Sequence, residues 1–266
     1  MKTSARVLAT VILYVLLISP AQAKVVWHWE DDFTAEEQSM LTKWIGLTIA
    51  GIEKRVAAFP FDVHIFFHRR SAGEPVPWAQ TERSTIQGVH FFVDTRYPIE
   101  DFLADWTGPH ELSHLLIPYV GRSRSWFAEG FGSYMQYQIM EEMGVLTHKQ
   151  VNEHYRSHIG KAARNYSMSH LPFTEAAPKL RGRREYATMY WGGAVYFLQV
   201  DHELRKHESS MINVLTKFVT CCRNNKYRFR ELISEFDRLS DSKTFSQQLE
   251  LLESKPGFPP RENLFD

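Results

Sequence analysis

The sequence predicts an α+β fold that is mostly helical, with a small β-sheet packed against the helices. Three observations lead to it. Two β-rich runs, 62–68 and 88–94, lie in the first third of the chain. From about Ile99 to Leu252 apolar residues recur at helical spacing. No repeat, low-complexity tract or linker interrupts the chain, so one domain accounts for residues 24–266, with an α/β part over about 24–98 and a helical part over about 99–255.

The first 23 residues are set apart from that domain. Lys2 and Arg6 give a positive start, Val7 to Ile18 is an apolar run, Pro20 breaks it, and Ala21-Gln22-Ala23 fits a small-x-small cleavage site. This is the pattern of a signal peptide, and it implies an exported protein, periplasmic or secreted. The run is shorter than the roughly 20 apolar residues a membrane span needs. The competing reading is an uncleaved N-terminal anchor. The mature chain has no transmembrane candidate. With 31 Lys and Arg against 31 Asp and Glu, net charge is zero, which points away from nucleic acid and anionic membrane as partners.

Only Cys221 and Cys222 are present. Neighbours in sequence do not easily bond each other, so the expectation is two small buried helical residues, with an intermolecular bridge as the alternative. Stability then rests on the core and on any metal rather than on a disulfide framework.

The elements follow in order. Thr34 and Glu37 form a capping box, and Leu41, Trp44, Ile45, Thr48 and Ile49 form a helical stripe that Pro60 closes, predicting a helix over 34–58. Asp62 to His68 reads as a strand. Ser71 to Thr85, polar and holding Pro75 and Pro77, reads as a loop. Gly88 to Asp94 is a second strand with Val89, Phe91 and Val93 on one face; it is either plain sheet core or an edge that pairs with an extended peptide. A helix starts at Pro109, or runs kinked from Asp101, and stops by Pro118 and Gly121. Ser125 caps the next, which ends at Met143 with Gly144 as its stop. Further helices are predicted over 147–166, 185–206, 211–222, 229–239 and 244–252. Met168 to Gly182, with Pro172 and Pro178, is expected to be irregular, and the tail from Pro256 extended.

The chemistry concentrates at His110-Glu111-Leu112-Ser113-His114 and Trp126-Phe127-Ala128-Glu129-Gly130. Helical residues four apart are turned only about 40° from each other, so His110 and His114 share a face. Two imidazoles there can hold one Zn²⁺, with Glu129 as third ligand, a fourth position open to water, and Glu111 beside them to handle protons. Ser133 and Tyr134 follow Glu129 and are candidates to orient it. Arg122, Arg124, Arg181, Arg183 and Arg184 are either solvated or meet an acidic group of a substrate.

The paired motifs H-E-x-x-H and W-x-x-E-G-F resemble those of the gluzincin zinc peptidases. Tyr190-Trp191-Gly192-Gly193-Ala194, with Val200 to Arg205 after it, is similar to that family's Y-x-K-G-A segment and the helix continuing it, though Gly192 replaces the Lys. The likeness spans roughly residues 86–206 and points most towards the glycyl aminopeptidase branch, with aminopeptidase N and thermolysin more distant. It implies a zincin-like metallopeptidase fold with the sheet on the active-site helices. His110, His114 and Glu129 would be the ligands of one zinc, Glu111 the general base, and Tyr190 the oxyanion donor, with Tyr186 one turn away as its rival. The substrate would be a peptide or protein. Two departures are plain. Only 14 residues separate His114 from Glu129, one turn fewer than most gluzincins use, and Gly88-Val89-His90 lies where the amine-binding carboxylate motif of the exopeptidases would be. Two other readings stay open: a zinc-bearing scaffold that has lost catalysis, and an amidase acting on a non-peptide amide.

Overall fold

A computed structural model describes residues 23–261 and Leu264. The predicted signal peptide, apart from Ala23, lies outside the described residues. No helix among those described is long and apolar enough to cross a membrane.

Four strands form one sheet: β1 (Val25–Trp29), β2 (Val63–Arg69), β3 (Trp78–Arg83) and β4 (Gln87–Val93), in the order β1-β2-β4-β3. β1 and β4 both run parallel to β2, while β3 runs antiparallel to β4 with Thr81 opposite Val89. Helix α1 (Ala35–Arg55) lies between β1 and β2, as a parallel crossover requires. The inward residues of the central strands, Val63, Ile65, Phe67, Val89, Phe91 and Val93, are all buried. Trp44 of α1 meets Phe91 edge-on at 5.1 Å.

β3 falls inside the segment read as a loop, and of the two readings of β4 the structure has plain sheet core, since β4 is internal. β3 is the edge. Its alternate residues face a cleft and solvent instead of a core, so it lacks the apolar period that marks a strand. β1 follows closely on the segment read as a signal peptide and lies outside the elements the sequence predicts.

The capping box at Thr34 is present: Glu37 N–H donates to Thr34 Oγ1 at 3.3 Å, and Thr34 N–H to Glu37 Oε2 at 2.8 Å. Glu37 also takes Arg69 Nη2 at 2.7 Å. The hydrogen bond from Arg69 holds the Glu37 carboxyl down at about 2, against an opposing push from burial. A depressed carboxylate stabilises the fold above its unfolded pKa, and that contribution fades as pH falls through the folded value. The melting-temperature gap between wild type and Glu37→Gln should therefore be full at pH 7 and shrink from about pH 4.5 towards 2. Thermal melts across that range check it.

Helices α2 (Ile99–Ala104), α3 (Thr107–Ser113), α4 (Ser125–Glu142), α5 (His148–Arg164), α6 (Phe173–Gly182), α7 (Tyr186–Arg205), α8 (Met211–Cys221), α9 (Phe229–Ser240) and α10 (Thr244–Ser254) complete the fold. Three expectations are corrected here. The helix bearing the H-E-x-x-H motif neither starts at Pro109 nor continues a kinked helix from Asp101. Asp105 is extended, its carboxylate accepts from Thr107 N–H at 2.7 Å, and α3 begins afresh. α6 occupies the segment expected to be irregular. Pro178 sits on its exposed side, while Phe173, Ala176, Ala177 and Leu180 are buried, and that burial outweighs the hydrogen bond lost at proline. Cys221 and Cys222 form a disulfide with each other. Cys222 has left the helix at φ −135°, so the two side chains no longer diverge as neighbours on a helix do.

α4 and α7 form the centre. Fourteen residues of α4 are buried, around its whole circumference. The two helices touch backbone to backbone, because a Cβ built on Gly193 would lie 2.1 Å from the Trp126 carbonyl oxygen and one on Gly130 would lie 2.3 Å from Gly193 C. One continuous core joins sheet and helices.

Candidate metal centre

α3 carries His110 and Glu111, and the chain tightens into a 3₁₀ turn over His114–Leu116. Gly121, at φ +92°, and a second 3₁₀ turn over Arg122–Arg124 bring the chain into α4. These tight turns span the short interval between His114 and Glu129. Arg124 rather than Ser125 precedes the first residue of α4, and no side chain caps that helix; Ser125 Oγ points to Met189 Sδ at 3.6 Å.

His110, His114 and Glu129 come together. Glu129 Oε2 lies 3.3 Å from His110 Nε2 and 3.6 Å from His114 Nε2. Ligands about 2.0–2.2 Å from one tetrahedral zinc stand about 3.3–3.6 Å apart, so this donor set suits that ion. His110, Glu111 and His114 also have donor atoms within 4.8 Å of one another. Burial pushes the Glu129 carboxyl up, but the two imidazoles outweigh it and hold the group well below the usual carboxylate range. Burial lowers His114, favouring the neutral imidazole that metals bind. At His110 burial acts the same way, and Glu129 and Glu111 overcome it and raise the pKa.

The side chains placed to orient these donors differ from those expected. Gln136, two turns beyond Glu129, accepts from His110 Nδ1–H at 2.9 Å. That fixes the tautomer and leaves the Nε2 lone pair towards Glu129. Ser133 and Tyr134 do not touch Glu129 in this way: the Tyr134 hydroxyl is buried with no partner among the described residues. Gln136→Leu should weaken zinc binding about 10- to 100-fold with the fold retained, as competition with a chromogenic chelator would show. From β3, Thr81 Oγ1 donates to Glu111 Oε2 at 2.6 Å and Arg83 Nη1 donates to the His114 carbonyl at 2.9 Å. Burial lowers the Arg83 pKa against the pull of Glu129 and Glu111.

The centre sits in a cleft of about 620 Å³ lined by β3, the start of α3, α4 and the start of α7. Tyr190 stacks over His110 at 6.1 Å between centroids and faces Glu129 and Glu111; burial first, then those carboxylates, raise its pKa. Tyr186 is at the rim, 45% exposed. Arg181 lines the cleft, Arg124 lies over the Phe229 ring, and Arg122, Arg183 and Arg184 are exposed. A second pocket of about 410 Å³, mostly apolar, shares Trp106 and Tyr190 with the cleft and is lined by Tyr137, His158 and Trp191.

No protein-family model matches the sequence, and no curated protein matches it. Solved structures do. An M1 zinc metallopeptidase from Deinococcus radiodurans aligns over 88% of this chain and 49% of its own, at 13% identity and TM-score 0.51. An aminopeptidase N family protein from Idiomarina loihiensis aligns over 90% of this chain and 46% of its own, at 17% identity and TM-score 0.58. The fold resembles that of the matched parts of these two structures. The chain spans about half the length of these structures. The likeness is one of fold, and it does not single out the glycyl aminopeptidase branch.

Proposed function

We propose that the protein is an exported zinc peptidase in which Glu111 is the general base and Tyr190 the oxyanion donor. The observation that carries the reading is the meeting of Glu129 with both imidazoles inside a cleft that also holds Glu111 and Tyr190. One zinc held by His110, His114 and Glu129 would polarise the scissile carbonyl and lower the pKa of water at the site. Glu111 takes the proton from the attacking water and passes it to the leaving amine as the C–N bond breaks. The Tyr190 hydroxyl donates to the oxygen on which charge develops.

β3 supports an extended substrate. It is an antiparallel edge strand along the cleft, so a peptide can add to it by main-chain hydrogen bonds. The neighbouring apolar pocket then receives a side chain next to the scissile bond. Chelator-sensitive cleavage of a mixed peptide library is the expected result. A protein that holds one zinc and cuts no member would point to the scaffold reading, and release of fragments from purified cell-wall material instead would point to the amidase.

A further inference from the structure

The sheet's other face carries four histidines that the cleft does not use. Along β2, Val63, Ile65 and Phe67 point into the core, so His64, Phe66 and His68 point outward. Register sets His28 of β1 on one side of Phe66 and His90 of β4 on the other. The three rings stack, with centroids 4.1 Å and 4.2 Å apart and planes within 10°. This stack holds the two outer imidazoles in place, and His64 and His68 reach diagonally to them. His28 Nε2 shares a hydrogen bond with His64 Nδ1 at 3.0 Å, and His68 Nε2 one with His90 Nδ1 at 3.0 Å; a bound ion would replace the shared proton.

We propose that this face binds divalent transition-metal ions at two imidazole pairs, His28–His64 and His68–His90, separate from the H-E-x-x-H centre. Two nitrogens about 2.0–2.1 Å from one ion, at an angle of 90–109°, stand about 2.9–3.4 Å apart, and both pairs already have that spacing. Burial, reinforced by the facing imidazole, lowers the pKa of His28 and His68, which favours the neutral ligand form. Carboxylates surround the face: Glu30 acts on His28 and His68, Asp31 on His68, and Glu82 Oε2 lies 3.5 Å from His90 Nε2. With two cis imidazoles and water in the remaining positions, the donor set suits Cu²⁺ best among first-row ions.

The test adds Cu²⁺ to the zinc-loaded protein and counts bound imidazoles by the nitrogen splitting in its electron paramagnetic resonance spectrum. Wild type should take two Cu²⁺ on this face, each with two imidazoles. His64→Ala should lose one equivalent and His68→Ala the other. Unchanged stoichiometry in both variants overturns the proposal. A second measurement needs no variant: Cu²⁺ should broaden the ring-proton NMR signals of His28, His64, His68 and His90 before those of His154 and His158, the stacked pair on α5. The reverse order overturns it equally.

Discussion

Glu111→Gln is expected to keep zinc at one per chain and to lose about 10²- to 10⁴-fold in kcat, the usual worth of a general base. The amide has nearly the shape of the carboxylate, and its oxygen can still accept from the Thr81 hydroxyl. The proposed ligands His110, His114 and Glu129 are unchanged, so metal content should not move. The amide cannot take a proton from water. Metal analysis of the purified variant beside turnover on the wild type's best peptide separates the two effects. Cleavage at the wild-type rate would mean that the base lies elsewhere.

Gly193→Ala is expected to cost about 3 kcal/mol or more, the upper end for overpacking, and to lower the melting temperature by about 6–12 °C. The added methyl would stand 2.1 Å from the Trp126 carbonyl oxygen and 2.9 Å from Gly130 Cα. These are backbone atoms, so no rotamer change can relieve the contact, and α4 must shift from α7. Glu129 precedes Gly130, so the shift carries a proposed ligand with it. Zinc should therefore bind more weakly in whatever fraction folds. A variant melting with the wild type and holding zinc as tightly would show that the crossing is looser than the geometry indicates.

How much of this the sequence held depends on how local each feature is. The shared face of His110 and His114 follows from helical spacing alone. The capping box at Thr34 is also local, and it is present. Gln136 was not legible because its role arises where α4 passes α3, 26 residues from His110. Thr81 and Arg83 were hidden by β3, whose polar alternation reads as loop until the cleft beside it is known. α6 was hidden by two prolines: Pro172 stands before its first residue, where it costs no helix hydrogen bond, and burial overcomes the cost of Pro178. The four histidines of the outer face are spread over three strands, and only the register gathers them.

Because α4 is packed around most of its circumference by the chain's own residues, the scaffold of the centre is expected to hold whether or not the centre is filled. Local opening is rarest where buried contacts are densest. The helix that presents Glu129 should thus be among the last to exchange its amide hydrogens, with or without an ion beside it. Stripping and reloading the metal then becomes a reversible event at the floor of the cleft, unlike small metal-dependent domains that collapse when the ion leaves.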